Sequence, residues 1–112
     1  MPYSIHFGKT FKRGIKKLQK RYPSIKKDVA AGIEALLATP HLGVPIPGAF
    51  GVRKLRLRNS DVGRGKSGGY RMIYYIEDHQ NERIFLLLVY AKSDRENVTI
   101  QEIKRLMEAD FD

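Results

Sequence analysis

The chain has 112 residues, 42% of them hydrophobic, with 21 Lys+Arg against 12 Asp+Glu for a formal net charge of +9. That length suits one domain over residues 1–112 with a usable core, and the cationic excess points to a polyanionic partner: nucleic acid, an anionic membrane surface or an acidic protein. The absence of cysteine excludes disulfide scaffolds, thiolate zinc sites and cysteine nucleophiles, and suits a reducing cytosol.

In chain order, Ser4 to Phe7 offers a short edge strand. Phe11, Ile15, Leu18 and Tyr22 recur at helical spacing among Lys12, Arg13, Lys16, Lys17, Lys20 and Arg21. Tyr22-Pro23 ends that helix, because the residue before proline disfavours the α region. Ser24 is placed to cap a second helix burying Ile25, Val29, Ile33 and Leu36, which stops at Thr39-Pro40. So short a junction predicts an antiparallel helical hairpin. His41 to Gly51 reads as loop.

Three strands follow. In Arg53 to Arg58, Leu55 and Leu57 alternate with Lys54, Arg56 and Arg58. A glycine- and charge-rich connection from Asn59 to Gly69 leads to the aromatic and β-branched strand Tyr70 to Ile76. Ile84 to Ala91 is apolar on both faces and reads as the central, covered strand. It is also the longest apolar run, far short of the roughly 20 residues that span a bilayer. With no secretory h-region at the N-terminus, a cytoplasmic protein is expected. Thr99-x-x-Glu102 is a capping box opening a last helix with Ile100, Ile103, Leu106 and Met107. The order β-α-α-β-β-β-α is an α+β fold: a helical hairpin on a small, mainly antiparallel sheet, with one sheet face left for a ligand.

Charge is unevenly placed. Lys9 to Lys27 carries nine bases and no acid, Arg53 to Arg71 carries seven bases against Asp61 alone, and Glu77 to Asp112 reverses to nine acids against five bases. Lys54, Arg56 and Arg58 share one strand face, Arg71 lies on the next strand, and Arg64 and Lys66 sit in the loop between. Strand-paired cations repel, and a bound anion relieves them. Helical Lys12, Lys16 and Lys20 suit either a solvated face or bulk phosphate contact.

Conventional catalytic kits are thin. GRGKSGG looks like a phosphate-binding loop, but a Walker motif needs glycine where Ser60 stands, and a helix where a strand follows. His6, His41 and His79 lack ligand spacing, so no metal or other cofactor is expected. Asp61 is the only acid between Glu34 and Glu77, too few for a two-metal nuclease. Tyr70, Tyr74, Tyr75 and Tyr90 suit either base stacking or the core. Asp94 to Glu96 reads as a solvated cap. One route remains open, in which RNA supplies its own 2′-OH nucleophile and cations stabilise the extra phosphate charge.

The basic strand Arg53 to Arg58, GKSGGYRMIYY at Gly65 to Tyr75, and YAKS at Tyr90 to Ser93 with the Asn97-Val98-Thr99 helix start together resemble the RelE/ParE superfamily of bacterial toxins, closest to the HigB-like branch of RelE. The resemblance covers nearly the whole chain. It implies a toxin of a type II toxin–antitoxin system, a metal-independent mRNA endoribonuclease cutting codons on the ribosome by 2′-OH attack. Its partners would be a small DNA-binding antitoxin, the ribosome, mRNA and, through the antitoxin, operator DNA, with no membrane. Carried over by position, Arg71 grips the scissile phosphate, with Arg56, Arg58, Lys66 and Lys92 as further catalytic cations. Lys54, Arg64, Lys12, Lys16, Lys20 and Arg95 are the candidate RNA contacts. The family pattern has a basic residue and a tyrosine where this chain has Ser93 and Thr99, so the resemblance assigns no general base or acid. A ParE-like gyrase poison of the same fold, and an RNA-binding or repressor-partner protein without toxicity, are the competing readings.

Overall fold

The computed structural model describes residues 3–62 and 68–111. The elements are β1 (Ser4–Phe7), α1 (Lys9–Gln19), α2 (Ile25–Ala38), β2 (Val44–Pro45), β3 (Val52–Leu57), β4 (Tyr70–Glu77), β5 (Arg83–Ala91) and α3 (Ile100–Ala109). They form one five-stranded sheet in the order β1-β5-β4-β3-β2, antiparallel except where β1 pairs β5 in parallel. The α+β architecture expected from the sequence is the one observed. No described helix is long and apolar enough to cross a membrane.

Alternation on the strands produces two cores, one on each sheet face. Phe11 and Leu18 of α1 and Ile25, Val29 and Leu36 of α2 pack on Leu55, Leu57, Tyr70, Met72, Tyr74 and Leu86. On the opposite face Ile103 and Leu106 of α3 cover Val52, Ile73, Leu87, Leu88 and Tyr90. The sheet face expected to be open is therefore partly roofed, because β5 is apolar on both sides and α3 brings the matching stripe. β5 is covered on both faces as expected, but the middle position belongs to β4, since β1 adds a strand outside β5.

In β5 the pairing slips by one residue, with Ile73 opposite Leu88 and Tyr74 opposite Leu86. Leu87 is the extra residue of a β-bulge, and it and Leu88 both pack under α3.

Several ends depart from the sequence pattern. α1 stops at Gln19, before Tyr22. Its N-cap Gly8 offers no side chain, and the buried Asp110 carboxylate accepts the Thr10 N–H at 2.9 Å instead, an anion at the positive end of a helix. Ser24 precedes α2, but its side chain makes no capping hydrogen bond; its N–H donates to Asp61 at 2.8 Å. Thr99 does cap α3, accepting from the Glu102 N–H at 3.0 Å. The Glu102 carboxylate binds Arg95 rather than completing the box.

The stretch read as loop from His41 to Gly51 holds β2, which pairs antiparallel with β3 at the edge of the sheet. Tyr74 fixes it: its hydroxyl accepts from the Gly43 N–H at 2.8 Å and donates to the Pro40 carbonyl at 3.0 Å. Arg53 adds bonds to the carbonyls of His41 at 3.0 Å and Gly43 at 2.6 Å.

Leu36, with no exposed surface, is central to the first core. Leu36→Ala is expected to lower the unfolding free energy by about 2–5 kcal/mol, read as a reduced urea midpoint with an unchanged slope.

Candidate functional site

β3 and β4 pair with Arg56 opposite Arg71 and Lys54 opposite Ile73, and β4 and β5 with Arg71 opposite Tyr90. Lys54, Arg56 and Arg71 thus stand on the face that α3 leaves open. Lys92, just past the end of β5, joins them along a groove of about 690 Å³ whose other wall includes Leu42 and Val44. Leu42 and Val44 are 49% and 68% exposed, so the groove has one cationic and one apolar side.

Arg71 is the buried member, at 7% exposure. Its guanidinium donates to the carbonyls of Gly68 at 2.5 Å and Tyr70 at 3.2 Å. Among the described residues no carboxylate pairs with Arg71, Arg56 or Lys54. Burial and, next, the nearby Arg56 charge draw the Arg71 pKa below the ordinary arginine value. Arginine stays protonated even so, and the shift measures how poorly its charge is compensated.

Two glycines make the approach to Arg71 possible. Gly68 and Gly69 have φ of +83° and +54°. A Cβ on Gly69 would lie 2.2 Å from the Leu57 carbonyl oxygen, and one on Gly68 2.5 Å from the Lys92 Cβ. The Gly69 carbonyl accepts from the Lys92 N–H at 2.8 Å. The GGYR sequence therefore seats Arg71 and presses the Lys92 stem against the same loop.

Among the described residues, Lys92 carries the groove's one carboxylate contact. Glu96 approaches its ammonium at 3.5 Å and is itself 81% exposed. From the sequence, Asp94 to Glu96 reads as a solvated cap, yet the turn after β5 carries Glu96 to the groove wall. No spacing rule marks it, because Lys92 to Glu96 is a turn and a four-residue charge spacing is informative only on a helix.

The other candidates are distributed differently. Arg58 lies beyond β3, exposed, in a separate groove with Lys27 and Asp28 of α2. Arg64 and Lys66 fall outside the described residues. Lys12, Lys16 and Lys20 are exposed on or just after α1, across the sheet from Arg71. Arg95 is neutralised by Glu102 at 2.7 and 3.1 Å, with its guanidinium 5.0 Å from the Tyr90 ring centre. That pair holds Glu102 below the usual carboxylate range and ties α3 to β5. Tyr70 and Tyr74 have no exposed surface and Tyr90 has 5%, so these three belong to the core and present no face to a base.

A larger cavity of about 910 Å³ lies at the other end of the sheet, lined by Phe50, Tyr75, His41 and Asp78. Asp78 there accepts from the Tyr3 hydroxyl at 2.6 Å and bonds His41 at 3.0 Å. Size favours this cavity, but uncompensated charge favours the smaller groove, and charge is what a polyanion reads. Among the described residues no cluster of three His, Asp or Glu is arranged to hold a metal ion.

A family model described as the RelE toxin of the RelE/RelB toxin–antitoxin system matches residues 9–110. Among solved structures, a mutant of the Escherichia coli toxin RelE in the free state superposes with a TM-score of 0.61 at 18% identity, covering 96% of this chain and 97% of that one.

Two outcomes follow from the geometry. Arg56→Gln removes a like charge facing Arg71 and is expected to stabilise the protein by about 0.2–1 kcal/mol, seen as a higher melting temperature at low salt that fades at high salt. Gly69→Ala is expected to cost at least about 1–3 kcal/mol through backbone strain and to lower the melting temperature accordingly.

Proposed function

The chain belongs to the RelE toxin family, and from that premise we propose that it is a metal-independent endoribonuclease cutting mRNA on the ribosome. The observation that carries this reading is the groove itself: Lys54, Arg56, Arg71 and Lys92 converge on it, and Arg71 is buried with no carboxylate partner among the described residues. A phosphodiester bound there relieves the Arg56–Arg71 repulsion and replaces the water Arg71 has lost. It gains most when its phosphorane-like transition state carries extra negative charge, which is the condition for catalysis. In this reading Arg71 grips the scissile phosphate, Arg56 and Lys54 neutralise its non-bridging oxygens, and the ribose 2′-OH is the nucleophile.

Leu42 and Val44 offer an apolar wall against which a nucleobase or ribose face can lie, standing in for the aromatic platform that Thr99 does not supply. Arg58, with Lys27 in the neighbouring groove, and Lys12, Lys16 and Lys20 on the opposite side supply non-specific phosphate contacts to ribosomal RNA. Lys66 and Arg64 lie between β3 and β4 in sequence, outside the described residues; in this reading Lys66 is a further catalytic cation and Arg64 a phosphate contact.

In the same reading residues 1–112 form a single toxin domain, acting in the cytoplasm. The partner is a small DNA-binding antitoxin that brings the pair to operator DNA, with an acidic or amphipathic segment laid over the groove.

Primer extension on transcripts after induced expression tests the reading. Cleavage within codons, abolished together with growth arrest by Arg71→Ala, is the expected outcome; loss of one phosphate-gripping cation should slow cleavage by about 10²–10³-fold. Intact transcripts with induction of the DNA-damage response would instead establish a gyrase poison on this fold.

A further inference from the structure

Lys54, Arg56 and Arg71 can hold a phosphate and steady its charge, but cleavage also needs a group that takes the 2′ proton and one that protonates the departing oxygen. We propose that Glu96 is the general base of this site and that Lys92, its ion-pair partner, is the general acid. The inference rests on the ribonuclease reading above and adds the proton carriers that Ser93 and Thr99 do not provide.

Among the described residues, Glu96 is the one carboxylate lining the cationic groove. A carboxylate beside four cations weakens phosphate binding unless it does chemistry there. Its contact with Lys92, 3.5 Å long and 81% exposed on the Glu96 side, belongs to the class of surface pairs worth about 0–1 kcal/mol, so it is not a structural clip. The backbone around it is held. The Asp94 N–H donates to the Ala91 carbonyl at 2.9 Å, and the Tyr90 hydroxyl reaches the Glu96 carbonyl at 3.4 Å. Arg95 binds the Asn97 carbonyl at 2.8 and 3.1 Å. The backbone is thus held at the groove wall while the carboxylate itself stays exposed to solvent. Lys92 in turn packs on Gly68, whose carbonyl holds Arg71. Phosphate grip, acid and base therefore form one connected series.

The step balances as follows. Glu96 takes the proton of the 2′-OH while the 2′ oxygen forms a bond to phosphorus. The bond from phosphorus to the 5′ oxygen breaks with its electron pair on that oxygen, which takes a proton from the Lys92 ammonium. The products are a 2′,3′-cyclic phosphate and a 5′-hydroxyl. Protonated Glu96 is left beside a neutral Lys92 amine, and transfer of one proton between them restores the ion pair with no net uptake or release.

The test is single-turnover cleavage of mRNA on programmed ribosomes by the full-length protein, with binding to the same ribosomes measured in parallel. Glu96→Gln is expected to lower the cleavage rate by about 10²–10⁴-fold with affinity kept within about threefold, and Glu96→Asp to recover part of the rate. Glu96→Gln cleaving as fast as the parent or faster, as loss of a mere counterion would produce, overturns the assignment. So does a loss of affinity that matches the loss of rate. A parent protein that binds ribosomes and leaves the mRNA intact overturns the ribonuclease reading as well, so the two failures are told apart by the parent reaction alone.

Discussion

Arg56 and Arg71 face one another across the β3–β4 register, and the cationic groove is organised around that opposition. Two guanidinium groups on directly opposed strand positions repel. Arg71 is further penalised by burial, with carbonyl oxygens as its hydrogen-bond partners among the described residues. A fold that keeps such an arrangement holds an electrostatic field ready before any ligand arrives, so a bound phosphate meets donors that need little reorganisation. The stability given up is of the order of a single weak interaction. The twofold apolar core, with α1 and α2 on one face and α3 on the other, supplies the rigidity that tolerates it.

The groove is shaped by polar side chains that do not themselves line it. Tyr74 reaches through the core to fix Pro40 and Gly43, which sets Leu42 and Val44 opposite the cations. The buried Asp28 accepts from the Ser60 N–H at 2.9 Å and the Ser60 hydroxyl at 3.1 Å, and Asp61 accepts from Ser24. These bonds tie the exit of β3 to α2. On the far side of the β3–β4 connection, Gly68 and Gly69 pack on Lys92 and Leu57. Both flanks of that connection are therefore anchored, each by residues whose own roles are structural.

Local periodicity made most of the fold legible. The stripes at Phe11 and Leu18, at Ile25, Val29 and Leu36, and the alternation at Leu55 and Leu57 are buried as read, and Thr99 caps its helix. The failures are all non-local. Ser24 matched the rules for a cap, but its capping partner in space is Asp61. β2 was invisible because two residues carry no pattern. Arg95 read as one more free cation, and only the chain's return through α3 brings Glu102 to it. Glu96 reads as part of a solvated cap because its closeness to Lys92 and the groove depends on a turn that periodicity does not describe. For the site, then, the strand cations were readable from residue spacing, whereas the carboxylate among them was not.

The extra leucine in β5 has a consequence of its own. A pleated strand assigns sides by parity, and Leu87 makes the tally between hairpin and groove uneven. Were Leu87 to pair in regular register instead of bulging, Val89 would turn toward α3 and Tyr90 toward the helical hairpin. Arg95 would then lose the ring it lies against, and the anchor of the turn bearing Glu96 would go with it. Three leucines in a row give hydropathy no phase, so neither composition nor residue class marks where the bulge falls. The orientation of the groove's third strand is in this sense kept by arithmetic, through a residue that never meets solvent.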